Sequence, residues 1–282
     1  EEHKIYPLAG YYFYRSNRDE EPKQDTWKLL KCGYVQTTHK HADDASFMLY
    51  AKGYEIFTDG GIYGYTKDAF RAYFTSALAH NTVVVDGASY PCDKAHVDAC
   101  GMGGYACFPD YDHIRVFNNA YDGVHFQRDF CSADDMTLIL DTLSSEQKHT
   151  YSQLFHLAEN MEVLLAKDRE VVLKLADSGY IVRLRQYGSP AKLSVVRGNL
   201  SQAGYGLISR GENHMAAITT LKFVLSGKKG VFATAITIED ADGFVRLGGR
   251  KARAEDLRYD TSAQTFVLGK LTIPCTRPLP EH

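Results

Sequence analysis

Short runs of β-branched and aromatic residues, each bounded by Gly, Asn, Asp, Ser or Pro, recur from one end of this chain to the other. Such residues fit a pleated, half-buried surface, and turn signals between them favour antiparallel neighbours. The runs fall at 10–15, 28–35, 46–51, 54–58, 82–86, 113–118, 124–131, 136–142, 149–157, 161–166, 170–175, 179–186, 192–197, 215–225, 230–237, 255–260 and 264–273. So many strands need at least two packed sheets, so the sequence predicts an all-β fold, a large antiparallel β-sandwich. Turns are expected at Lys52-Gly53, at Gly227-Lys228-Lys229-Gly230 and at Ala241-Asp242-Gly243. Helix is scarce: only 66–79 (TKDAFRAYFTSALA) spaces Ala69, Tyr73 and Ala77 at helical intervals, between Gly64 and an HNT stop. Segment 87–111 is rich in Gly and small residues and reads as a long excursion outside the core.

With 282 residues, 44% of them hydrophobic, the chain can bury a sizeable core as one large domain or two small ones. Its 32 basic and 35 acidic residues leave a net charge of −3, which gives no global field for nucleic acid. No apolar run approaches the ~18 residues of a membrane span, and the opening EEHKIYPLAG lacks a signal-peptide core. The six cysteines include no C-x-x-C pair and are expected as free thiols, with a bridge such as Cys100 to Cys107 left open. A chain that enters strand-like sequence almost at once is expected to be part of a larger protein.

Chemistry concentrates between 33 and 87, where His39, His41, Asp59, Tyr65 and His80 fall among short runs. In an extended segment, alternate residues share a side, so H-K-H would aim His39 and His41 at one space with Lys40 facing away. Imidazole nitrogen and carboxylate oxygen suit Zn²⁺ or a similar ion, and His41, Asp59 and His80 are the best three donors. A simple turn at Lys52-Gly53 would pair Ser46 with Asp59 and leave His41 five residues beyond. The 42–45 segment must therefore bend back for these donors to meet. Any single histidine is more often hydrogen-bonded than ligating, and Tyr63 and Tyr65 on a Gly-rich turn could equally be packing residues.

The order GYYFYRS, HKHADDASF, TDGGIYGY and RAYFTSALAHNTVVVDG, followed by QLFHL at 153–157, resembles the C-terminal β-sandwich of heparinase II/III-like polysaccharide lyases. The motif-bearing part spans roughly 10–160, within one sandwich domain over 1–282. The resemblance implies a two-part enzyme whose N-terminal α/α toroid forms the other wall of a cleft. It further implies a structural Zn²⁺ on His41, Asp59 and His80. His39 and Tyr65 become the catalytic residues, with Tyr63 and Tyr73 as weaker matches for the tyrosine. Arg71 and Tyr73 are the substrate-binding candidates. The implied substrate is an anionic, uronate-containing polysaccharide of glycosaminoglycan or alginate type. A periplasmic or secreted location follows from the same resemblance, with a cytoplasmic one left open. Thr38 stands where some members carry Asn, and Gly60 where many carry Pro or Ser; the first departure leaves the carboxylate neutraliser unassigned.

The residue types suit β-elimination, in which the C5 proton of a uronate is removed and the O4 group expelled, a sequence needing a carboxylate neutraliser, a base and an acid. A tyrosine with pKa of about 10 is a poor base without a neighbouring positive field. Two rivals stand beside this reading. A cupin-like metalloenzyme also uses H-x-H but wants a carboxylate four residues later, where Ala45 stands and Asp44 falls one short. A non-catalytic carbohydrate-binding sandwich would use the tyrosine-rich faces alone.

Overall fold

The computed structural model describes residues 3–16 and 21–280. Two strands of 21 residues, Met136–His156 and Thr219–Glu239, pair antiparallel and form the spine of a ten-stranded sheet. Outward from Met136–His156 come Val124–Ala133, Asp112–Asn118 and Cys100–Cys107. Outward from Thr219–Glu239 come Ile181–Gln186, Glu170–Leu175 and Met161–Lys167. Val83–Val85 and Lys192–Arg197 pair with the far ends of the two spine strands. A five-stranded sheet follows sequence order: His3–Tyr6, Tyr11–Arg15, Trp27–Lys31, Ser46–Ala51 and Tyr54–Phe57. All pairings are antiparallel, as the sequence predicts.

The strand pattern explains why the sheets stack. In the small sheet, Tyr12, Leu30, Phe47 and Leu49 are buried on one face, and their partners across the layer are Phe130, Phe155 and Phe223 of the large sheet. Phe47 is the hinge of this aromatic packing, with ring centroids 5.7 Å from Phe130 and 6.0 Å from Phe155. The run Met136–Leu140 is buried on both sides. Ile139 joins the main core, whereas Leu138 and Leu140 join a second core with Val245, Leu247, Phe266 and Ile273. The hairpin Phe244–Leu247/Arg250–Arg253 and the three strands Arg258–Asp260, Thr265–Leu268 and Leu271–Pro274 therefore act as a third layer.

Three local expectations are corrected. The Gly227–Gly230 stretch is no turn; it continues Thr219–Glu239, opposite a register shift between Ser144 and His149 where the two spine strands bulge. Segment 87–111 contributes the edge strand Cys100–Cys107, so it is partly sheet. The helical candidate shortens to Ala69–Thr75, followed by a 3₁₀ turn Ala77–Ala79. Lys52-Gly53 does turn, with φ of 55° and 89°, the paired left-handed values of a tight hairpin. All six cysteines are free thiols. Among the described residues, no helix is long and apolar enough to cross a membrane.

Candidate functional site

The loop between Trp27–Lys31 and Ser46–Ala51 carries the H-K-H, and it is not extended. His39 and Ala45 adopt left-handed φ values of 59° and 61°. Non-glycine residues hold that conformation only when their surroundings enforce it. Here a buried ionic knot does so. Lys40 lies between Asp43 and Asp44, 2.6 Å from each, and Lys31 joins Asp43 from the neighbouring strand. Asp44 is fully buried; its carboxylate also accepts Gly33 N at 2.7 Å and the Tyr90 hydroxyl at 2.9 Å. Burial works against the charge of Lys40, but the two carboxylates outweigh it and hold its pKa above the usual lysine value. Lys40 thus faces the interior instead of solvent, and Asp44 is consumed structurally, which removes the carboxylate a cupin-like site would need.

The bend that geometry demanded is present, and the other strand helps. Ala51 pairs with Tyr54 and Tyr50 with Glu55, but Leu49 pairs with Phe57, so a bulge at Ile56 alters the register before Asp59. Asp59 then reaches His80 at the end of the 3₁₀ turn, with Oδ2 2.7 Å from Nδ1, while its Oδ1 accepts Gly61 N at 2.9 Å. The His41 and His80 rings lie 5.6 Å apart. Burial, then the neighbouring His80, pushes the His41 pKa down to about 4, so the ring is neutral. Burial disfavours the His80 cation, yet Asp59 overcomes this and raises its pKa; the reciprocal attraction lowers that of Asp59. His80 Nε2 is buried and makes no hydrogen bond. Two imidazoles beside an ionised carboxylate are donor types that suit a borderline divalent ion.

At the solvent edge of this cluster, the Tyr65 hydroxyl lies 3.2 Å from His39 Nδ1, across 26 residues of sequence. Arg71, on the short helix, places its guanidinium 5.3 Å from the Tyr65 ring centroid and donates to Ile62 O at 3.0 Å. The helix starts where Asp68 caps Arg71 N at 2.8 Å. His39 and Tyr65 are exposed and Arg71 is half-buried. His39 and His41 therefore serve different partners instead of one shared space. Tyr63 stacks on Phe74 at 5.4 Å, which is packing. Tyr73 departs from the substrate-binding expectation: it is 6% exposed, held in a cluster with Phe74, Ala79 and Leu207 beneath the helix.

Three residues essential to this arrangement escaped sequence reasoning. Asn81 donates to Phe47 O and Thr58 O, both at 2.8 Å, and accepts His156 N at 2.6 Å, tying two strands and the start of the Asp59 loop together behind His80. Arg128, wholly buried, pairs with Asp141 and donates to the carbonyls of Ala45 and Asn81. His156 is buried near His80, its Nδ1 2.9 Å from the Thr220 hydroxyl, and burial followed by His80 lowers its pKa to about 3. Only the His-Asn step in AHNTVVVDG and the His in QLFHL offered a signal.

The candidate site thus sits on loops beside the smaller sheet of an antiparallel, multilayer sandwich. The chain belongs to the heparinase II/III-like C-terminal family, whose model matches residues 1–239. A heparin-sulfate lyase of Pedobacter heparinus is 26% identical over 124 residues, which is 43% of this chain and 18% of that protein. The crystal structure of heparan sulfate lyase HepC from Pedobacter heparinus superposes with a TM-score of 0.74 at 17% identity, covering 99% of this chain and 43% of that one. A heparinase III structure gives 0.74 at 14% identity, covering 96% of this chain and 41% of that one. The chain thus spans less than half the length of these relatives.

Proposed function

We propose that this chain supplies one wall of the active site of a polysaccharide lyase that cleaves a uronate-containing glycosaminoglycan or a similar polymer by β-elimination. The observation that carries the reading is the His39–Tyr65 contact under Arg71, three residues from separate loop and helix segments meeting at an exposed surface. His39 and Tyr65 divide the base and acid roles at C5 and O4, within hydrogen-bond reach of each other so that a proton can pass between them. Arg71 faces the uronate carboxylate, whose neutralisation makes the C5 proton removable. Family membership and the lyase names of the relatives support the substrate class. The toroid wall lies outside this chain and would complete the cleft.

His41, Asp59 and His80 would hold a Zn²⁺, whose contribution is to fix the 37–45 and 58–65 loops. With the ion present, His39 stays over Tyr65 because His41 two residues on is anchored. The proton-transfer residues themselves do not depend on ligating it.

The test is an assay of the complete protein on a panel of uronate polymers, reading the ultraviolet absorbance of the unsaturated product. Tyr65→Phe and His39→Ala should each lower kcat by ~10²–10⁴-fold, and Arg71→Ala should chiefly raise KM. Unchanged turnover in a variant lacking both His39 and Tyr65 would overturn the assignment. Zinc content of protein purified without added metal should fall in His41→Ala.

A further inference from the structure

A second set of metal-type donors shares no residue with the candidate site. His3, Cys107 and Asp112 each offer one donor atom, and these lie within 4.8 Å of one another. They come from both sheets. His3 opens the first strand of the five-stranded sheet, while Cys107 and Asp112 are register partners closing the hairpin at the edge of the ten-stranded sheet. That hairpin is held shut by Phe108 N donating to Tyr111 O at 2.8 Å, so two of the donors are fixed relative to each other.

Asp112 is buried, and its Oδ2 accepts the hydroxyl of fully buried Tyr12 at 2.8 Å with His3 Nδ1 3.4 Å away. An outer hydrogen bond of this kind orients a ligating carboxylate. His3 and Cys107 are exposed, which leaves an entry path. A small cavity of about 50 Å³ is lined by His3 and Asp112 together with Asp110 and Asp134. The walls of that cavity are thus rich in carboxylate. The neighbouring cations are committed: Arg250 pairs with Asp110, and Lys28 donates to Met136 O at 2.7 Å.

We propose that His3, Cys107 and Asp112 form a divalent-metal site of zinc type that fastens the first strand of the small sheet to the hairpin of the large one. A set of thiolate, imidazole and carboxylate prefers a borderline ion such as Zn²⁺ over Mg²⁺ or Ca²⁺, which favour all-oxygen shells. Zinc bonds of about 2.0–2.3 Å bring tetrahedral donors to roughly 3.5 Å apart, a modest contraction of the present cluster. An ordinary thiol carries its proton at neutral pH. Binding forms the sulfur–metal bond and releases that proton to solvent. Three protein donors leave a remaining position for water.

Cobalt(II) distinguishes this site from the zinc site proposed above, because His41, Asp59 and His80 include no thiolate. Chelator-stripped protein titrated with Co²⁺ should develop a thiolate-to-cobalt charge-transfer band in the near ultraviolet that saturates by two equivalents, one for each proposed site, and is displaced by Zn²⁺ but not by Mg²⁺. The band should vanish in Cys107→Ser, weaken at least tenfold in apparent affinity in His3→Ala, and persist in His41→Ala. As a measurement on the unaltered chain, Zn²⁺ should slow alkylation of Cys107. Absence of the band, its survival in Cys107→Ser, unchanged affinity in His3→Ala, or alkylation indifferent to Zn²⁺ would each overturn the proposal.

Discussion

Arg128 shows how one side chain can determine both stability and a site. Its guanidinium holds Asp141 through Nε at 2.7 Å and Nη2 at 2.6 Å, with neither side chain exposed. Its remaining nitrogen reaches Ala45 O and Asn81 O, the residues that follow the two halves of the candidate ligand set. Arg128→Met would leave Asp141 buried and uncompensated, a loss of about 3–5 kcal/mol, read as a lower denaturant midpoint. The ionic knot gives a pH prediction. Burial opposes ionisation of Asp43, but Lys31 and Lys40 hold its pKa below the ordinary carboxylate value. A depressed folded pKa stabilises the fold above the unfolded value of about 4 and loses that effect as pH falls through the folded one. Asp43→Asn should therefore lower stability by about 1.5–3 kcal/mol at neutral pH. The gap between the two proteins should close progressively in titrations taken below pH ~4.

At the scale of elements, the short helix Ala69–Thr75 matters because it carries Arg71. Seven residues are too few to be stable by propensity, so its cap and its tertiary packing maintain it. Removing the Asp68 side chain should cost about 1 kcal/mol, seen as roughly fivefold faster amide exchange across the helix if it opens locally. The Asp59 loop imposes a steric condition. A Cβ on Gly60 would sit 2.8 Å from Ala79 O and 2.9 Å from Ala79 Cβ, just before His80. Gly60→Ser should push the loop from the His80 turn and lower both thermal stability and retention of the proposed zinc. The sequence made the helix visible through its spacing. It hid its true end, because Ser76 caps the next 3₁₀ turn at Leu78 N and breaks the periodicity.

For the whole molecule, the ten-stranded sheet is the middle of three layers, and the family match ends at 239, before the third layer begins. Leu138, Leu140, Ala233 and Ala235 would lose their cover if the chain stopped there. A protein ending at residue 239 should bind a hydrophobic dye strongly and aggregate, whereas the intact chain should not. The sandwich by itself is expected to have little lyase activity, since correct placement of reacting groups can supply ~7 kcal/mol or more and the proposed cleft has a second wall. Comparable turnover by this chain and by the complete protein would refute that division.

The sequence by itself determined most of the strands, their antiparallel pairing and the candidates His39, His41 and His80, because alternation, β-branched content and turn residues are local properties. It also required the 42–45 segment to bend if His41 was to approach Asp59, from the pairing a simple Lys52-Gly53 turn would give. Only the tertiary structure decided the rest. That Gly227–Gly230 stays in a strand depends on the partner opposite it, and that His39 faces Tyr65 while His41 faces His80 depends on two left-handed residues held by Lys40, Asp43 and Asp44. Tyr73 turned inward and Arg128 became the anchor for the same physical reason: long-range contacts between layers set the environment of each side chain, and no local window of sequence contains them.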